Sequence, residues 1–424
     1  MFKVNKISIS RSTVNYQYTY DNDISKYFNK SESFYVNYYD QDISKINESI
    51  LVIPLLSNIL TIAWFVGFDI YVDEIDMVFY NSLDNLKLEF EKSYPSIREK
   101  KVKIFYNKLI ENNVEANKSA MLFSGGVDAY ATYFRNVHLN LDLITILGAD
   151  VRIEDKKQWN TVVSLNENER LLNKNSKFYI ESNLRTFYTY KVDLLLNDLG
   201  WWGKVQHGLA LNGILAPLSI INGYSTIYIA SSYTDNIEIA WGSTPQIDNA
   251  IQWAKTKINH DGYELKRQQK VEQIVSFVSK IQGNLNLRVC YSELNNGINC
   301  SKCEKCYRTI LGIILSKGNP LDFGFEVNSS VYDSVLNKFA SGFGSKGAQY
   351  FWWEINEKIK QNKDFHVFQN KFLEQNKLLN VSQLIDSNIK KGPIKTSGLL
   401  RIKHKIQNKF PVLLKYYLKI RHSN

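Results

Sequence analysis

Between residues 119 and 290 the chain alternates short apolar runs with longer stretches of helical period. Apolar residues crowd 120–123, 141–147, 178–181, 226–231 and 285–290, each run short enough for a strand buried on both faces. The stretches 127–137, 155–174, 207–221 and 264–281 instead carry apolar residues three and four apart, the spacing of a helix with one buried side. Strand and helix in alternation predict an α/β fold over 117–320, a doubly wound parallel sheet covered by helices.

The flanks have a different texture. Residues 1–116 carry strand-like aromatic runs at 34–39 and 69–72 and a helical pattern over 77–94, and read as an N-terminal α+β module. Residues 49–68 are twenty positions without a charge, long enough for a membrane span. Pro54, Asn58, Gly67 and three hydroxyl residues interrupt them, and Asp69, Asp73, Glu74 and Asp76 follow at once. They are therefore predicted as a buried strand-turn-helix, with no transmembrane segment. Residues 321–424 read as a helical C-terminal extension, with a loop at Gly342, Gly344 and Gly347.

Charge sharpens this division. The net charge is +10, from 52 Lys and Arg against 42 Asp and Glu. Ten of the basic residues lie in 387–424, which has no acidic residue, so the rest of the chain is neutral. Leu399, Ile402, Ile406, Phe410 and Leu413 recur there at helical spacing, giving a cationic amphipathic tail kinked at Pro411. Such a tail could meet nucleic acid, an anionic surface or an acidic partner, or pack on its own domain with a solvated basic face. The start of the chain has no apolar signal segment, and its few cysteines are clustered, so a cytoplasmic, reducing setting is expected.

The sharpest motif is Ser124-Gly125-Gly126-Val127-Asp128, between a predicted strand and a predicted helix. Adjacent glycines let the backbone turn tightly with its N–H groups near an anion, while the following helix points its positive dipole end at the same place. Ser124 can donate to a phosphate oxygen, and Asp128 can hold Mg2+ or a loop N–H. The alternative is a strand-Gly-Gly-helix turn that holds no ligand.

The second motif is Cys290, Cys300, Cys303 and Cys306, with two consecutive two-residue spacings and a distant fourth thiol. That pattern suits a structural Zn2+ site. A [4Fe–4S] cluster also takes four Cys, although the usual following Pro is missing. Lys302, Lys305, Arg308 and Arg288 are near in sequence and would offset the charge of four thiolates.

The loop resembles the Ser-Gly-Gly-x-Asp-Ser motif of the PP-loop ATP pyrophosphatases, the adenine nucleotide α-hydrolase-like superfamily, with Ala129 in place of the final Ser. A PP-loop followed by Cys290-Tyr291 and then Cys300-x2-Cys303-x2-Cys306-x-Arg308 is similar to the 7-cyano-7-deazaguanine synthase family of queuosine biosynthesis. The likeness covers about residues 118–318 and points to a divergent, extended relative. It implies ATP with Mg2+, held by Phe123, Ser124, Gly125, Gly126, Val127, Asp128 and Ala129, with Leu147 and Gly148 beside the adenine. It also implies a cation for the departing pyrophosphate, for which Lys270 is the closest match and Lys266, Arg267 and Arg308 are alternatives.

Catalytic roles would then fall to Ser124, Asp128 and Lys270, and the loop 231–248 would take the substrate through Trp241 and Asp248. The implied reaction is adenylation of a carboxylate on a deazapurine-type small molecule, followed by attack of a nitrogen nucleophile. Relatives in antiphage gene clusters suggest the same chemistry on a protein partner. The Ala129 departure suggests a third reading, a nucleotide-binding scaffold without catalysis.

Overall fold

The computed structural model describes residues 1–197, 200–290, 298–361, 365–368 and 371–392. The basic tail beyond 392, with its amphipathic pattern and Pro411, lies outside the described residues.

The fold is α/β, built on one eleven-stranded sheet among the described residues. In chain order the strands are β1 (Phe2–Ser10), β2 (Thr13–Tyr20), β3 (Tyr35–Asn37), β4 (Ile70–Asp76), β5 (Ile104–Ile110) and β6 (Lys118–Leu122). They continue with β7 (Asp142–Leu147), β8 (Lys177–Ser182), β9 (Tyr224–Ala230), β10 (Gln252–Trp253) and β11 (Thr256–Asp261). Their order in the sheet is β10-β11-β9-β6-β7-β8-β3-β2-β1-β4-β5. The block from β11 to β8 is parallel throughout, with β6 near its middle.

Residues alternate between the two faces of this block, and each face has its own core. Ala120, Ile144 and Ile146 join one apolar cluster, and Met121, Leu143 and Phe123 join the other. The first cluster holds the helices Ile53–Val66, His207–Gly213 and Ala216–Asn222. The second holds Val127–Arg135, Arg267–Lys280 and Glu304–Leu315, with the C-terminal helices behind them. A strand buried on both faces needs apolar residues at both parities, which is why the central runs read as continuous.

The N-terminal strands, read from sequence as a module of their own, extend the same sheet. Antiparallel β3 pairs with β8, Val36 opposite Ser182, and carries the sheet across residue 116. The buried Tyr38 donates its hydroxyl to the Ile214 carbonyl at 2.8 Å.

Several local expectations are corrected. The uncharged stretch 49–68 contains no strand: it forms the helices Glu48–Leu51 and Ile53–Val66, with Pro54 tolerated in a first turn and Gly67 closing the end at φ +91°. Residues 53–64 are all buried, so the run is apolar because protein surrounds it. Among the described residues no helix is long and apolar enough to cross a membrane. The single helix expected over 207–221 is two, because Pro217 cannot continue a helical hydrogen-bond ladder.

Residues 285–290 form no strand. Leu285 and Leu287 donate to the carbonyls of Asp322 and Phe323, and Arg288 donates to Gly125, so the backbone bonds go to loops. The outer strands β10 and β11 were not foreseen. In β11 the buried parity is Thr256, Ile258 and His260, and two polar residues at inward positions hide the period.

Helix His207–Gly213 crosses Ile53–Val66 so closely that a Cβ at Gly213 would lie 1.9 Å from Ser57 Oγ and 2.2 Å from Ser57 Cβ. Gly213→Ala should therefore destabilise the fold by about 1–3 kcal/mol, read as a lowered melting temperature. Adding Ser57→Gly should restore most of the loss; no loss in the single variant would contradict this packing.

Candidate functional site

Strand β6 delivers the Gly-Gly loop to the carboxyl edge of the parallel block. Phe123 fixes its start: its N–H donates to Ile144 O at 2.8 Å, and its carbonyl accepts from Thr145 Oγ1 at 2.8 Å. Gly125 turns at φ +73°, a conformation that side chains disfavour, and Gly126 is the extended N-cap of helix Val127–Arg135. No side chain caps this helix, so the positive end of its backbone dipole faces the turn. Arg288 braces the turn from outside, donating its backbone N–H to Gly125 O at 2.7 Å and its Nη1 to Ser124 O at 3.2 Å.

Asp128, expected to take Mg2+ or a loop N–H, pairs instead with two cations. Its Oδ2 lies 3.1 Å from Arg267 Nη2 and its Oδ1 lies 3.3 Å from Lys270 Nζ. Lys270 Nζ also donates to Ser231 O at 2.5 Å, just past β9. Helix Arg267–Lys280 thus brings both residues to the loop, and the expected site residues Ser124, Asp128 and Lys270 come together. Burial pushes the Lys270 ammonium below the ordinary lysine value, while Asp128 pulls it back up.

A cavity opens beside the loop. Phe123, Ser124, Asp128 and Ala129 form one side, Thr145 and Ile146 of β7 the floor, and Asp150, Trp159 and His207 the far side. Leu147 and Gly148, expected beside an adenine, shape that wall rather than line it. Leu147 is fully buried, and Gly148 turns at φ +100° where a Cβ would sit 1.9 Å from Ser182 O. The next three residues, Ala149, Asp150 and Val151, reach the cavity.

The two expected substrate contacts are placed differently. Asp248 is fully buried and its carboxylate is taken: Oδ2 accepts from Ser243 Oγ at 2.7 Å and lies 2.6 Å from His260 Nδ1, and Oδ1 accepts from Asn212 at 3.3 Å. With both oxygens engaged inside the protein, it fixes the loop from beneath. Trp241, half-buried, meets the His207 ring at 5.3 Å in a tilted contact and the Tyr233 ring at 5.2 Å edge-on. His207 reaches the cavity wall. Its imidazole is held below the ordinary histidine range, chiefly by burial. Arg288 was read only as an offset to thiolate charge, and nothing in a single arginine beside a cysteine motif announces a loop brace.

The four cysteines converge, with all four Sγ atoms within 4.8 Å of one another. Sγ–Sγ separations are 3.5 Å for Cys303 and Cys306, 3.8 Å for Cys300 and Cys306, and 3.9 Å for Cys303 and Cys290. A tetrahedral ion with metal–sulfur bonds of about 2.3 Å sets its sulfurs about 3.8 Å apart, so the cage has the size for one ion such as zinc. An iron–sulfur cluster needs sulfurs spread more widely. The Cys303 N–H donates to Cys300 Sγ at 3.2 Å, which supports a thiolate there. Without a cation, the contact with the neighbouring Cys290 sulfur drives the thiols of Cys303 and Cys306 upward, the former to about 11. A metal ion would reverse that by stabilising the thiolate form.

Cys303 is the N-cap of helix Glu304–Leu315, which carries Lys305 and Arg308, and Cys290 follows Arg288 by two residues. The cage therefore ties together the loop brace and the helix that brings Arg308.

No protein-family model, curated protein or solved structure matches this chain.

Cys303→Ser should lower bound zinc from about one equivalent per chain to a small fraction, measured by elemental mass spectrometry on protein purified without chelator. Full retention of metal would show that the four thiols do not form the site.

Proposed function

We propose that the chain is an ATP-consuming adenylating enzyme of PP-loop type, with a doubly wound domain around β6 to β9, acting on a carboxylate in the manner of 7-cyano-7-deazaguanine synthases. The observation that carries the reading is the Ser124–Asp128 turn at the carboxyl edge of a parallel block, with Arg267 and Lys270 converging on Asp128. A cavity adjoins it. Ligands of open α/β sheets sit at that edge, and an uncapped helix start beside buried cations suits a polyphosphate.

A carboxylate is a poor electrophile because its carbon carries no good leaving group. In the proposed reaction its oxygen attacks the α-phosphorus of ATP, the bond to the β-phosphate oxygen breaks, and pyrophosphate departs. A nitrogen nucleophile then adds to the carbonyl, loses a proton, and expels AMP. The first step builds negative charge on the leaving pyrophosphate, where Ser124, the 125–128 backbone, Lys270 and Arg288 would hold it. Mg2+ would add charge on the phosphates when it accompanies ATP.

The deazapurine carboxylate is proposed from the order of the two motifs, and a carboxylate on a protein partner is the second acceptor to screen. Ala129 lines the cavity where the family's motif has a hydroxyl, so phosphate contact there falls to the backbone.

The test is release of AMP and pyrophosphate from ATP with 7-carboxy-7-deazaguanine and ammonium. Asp128→Asn should reduce it at least tenfold by leaving Arg267 and Lys270 without their counter-ion, and unchanged turnover would sink the reading. ATP bound without AMP formation under any acceptor would leave a scaffold.

Lys270 supplies a pH signature. Its charge is present below its lowered pKa and is lost as pH rises through it, so ATP affinity should decline on the alkaline side before the ordinary value of 10.5. Lys270→Met should weaken ATP by about 10- to 100-fold near neutral pH and flatten that limb in titration calorimetry.

A further inference from the structure

The C-terminal extension contributes a wall to the cation cluster, through helix Lys346–Gln361. That helix reaches the three segments that border the loop. Phe351 lies with its ring 5.3 Å from the Arg267 guanidinium carbon and 4.2 Å from that of Arg308. The ring also stacks on Tyr233 of the segment after β9, centroids 5.5 Å apart and planes 12° from parallel. Gly347, one turn earlier, makes room for that contact, since a Cβ there would sit 2.7 Å from Tyr233 Oη.

Glu354, one turn later, accepts from the Gln268 N–H at 3.0 Å, satisfying a first-turn donor of the helix that carries Arg267 and Lys270. Trp352 Nε1 donates to Glu304 Oε1 at 3.1 Å, at the start of the helix that carries Arg308.

Two guanidinium groups placed side by side repel each other, and each is already paired with a carboxylate, Arg267 with Asp128 at 3.1 Å and Arg308 with Glu304 at 3.6 Å. An aromatic ring carries negative potential on its faces, so a ring that touches both cations lowers the cost of keeping them together without neutralising either. The Nε of Arg267 is buried and makes no hydrogen bond among the described residues, while the Nε of Arg308 is ion-paired with Glu304 Oε1 at 3.6 Å.

We propose that Phe351 is a positioning residue for polyphosphate: it holds Arg267 and Arg308 as a preformed pair, so that the C-terminal extension is part of the phosphate site. The proposal rests on reading the loop as a polyphosphate site. It adds that the helical extension, which the PP-loop likeness leaves out, is needed for tight binding.

The experiment is titration calorimetry of the full-length protein with pyrophosphate, comparing Phe351→Leu with Phe351→Tyr. Leucine keeps apolar volume and removes the π face; tyrosine keeps the face. Phe351→Leu should bind pyrophosphate about 5- to 30-fold more weakly, and Phe351→Tyr within about threefold of the wild type, with the two variants melting within a few degrees of each other. Equal losses in both variants would mean that the residue only packs, and wild-type affinity in Phe351→Leu would mean that the ring does not set the arginines. Absence of pyrophosphate binding in the wild type would overturn the proposal as well. The adenylation reading fails separately, when pyrophosphate binds as described yet no acceptor yields AMP.

Discussion

Positive charge gathered in a half-buried place must be balanced, and that requirement organises the centre of this protein. Like charges 4 Å apart at an effective dielectric of 20 repel by about 4 kcal/mol, a large share of a domain's net stability. Lys270, Arg267 and Arg308 meet the requirement in four ways: a carboxylate at Asp128 shared by Lys270 and Arg267, a carboxylate at Glu304 for Arg308, a carbonyl at Ser231, and an aromatic face at Phe351. Each balancing group comes from a different stretch of chain. The cluster is complete only when the β6 loop, the segment after β9 and the C-terminal helix are all in place.

The sheet supplies the frame on which these pieces meet. Its parallel block is covered on both faces, which fixes β6 in depth and directs its carboxyl end to one edge. The N-terminal strands lengthen the sheet from β8 outward, and helix Ile53–Val66 presses on helix His207–Gly213, whose first residue reaches the cavity. A segment without chemical signature of its own thereby sets the depth of a cavity wall. Gly208 belongs to the same geometry: a Cβ there would lie 2.1 Å from Asp248 Oδ1, so the buried carboxylate and the helix are fitted to each other.

The parts legible in the sequence are those governed by local rules. Ser124 to Asp128 announces its turn because glycine conformations and helix starts are written in adjacent residues, and the four cysteines announce a cage because ligand spacing is a local geometry. The alternation of β6, β7 and β9 is legible because burial on both faces leaves a continuous apolar run. What was not legible depends on partners distant in sequence. Residues 285–290 look like a strand, yet their backbone is taken by Gly125 and the 322–323 turn. The β1–β2 hairpin turns at Arg11, φ +46°, with no glycine or Asn-Gly pair to mark it. Asp248 and Trp241 have the residue types expected of a substrate loop, but their neighbours Ser243, His260, His207 and Tyr233 occupy them.

Arg288 and Cys290 stand two residues apart on one extended segment, the first bonded to the Gly-Gly turn and the second in the thiolate cage. If the turn takes an anion as proposed and the cage a metal ion, any coupling carried by this short segment is thermodynamically reciprocal. By whatever factor a metal ion in the cage tightens the turn's grip on an anion, the anion tightens the cage's grip on the metal by the same factor. The cage would then be more than a fixture of the fold, because its affinity for the ion would report the state of the turn.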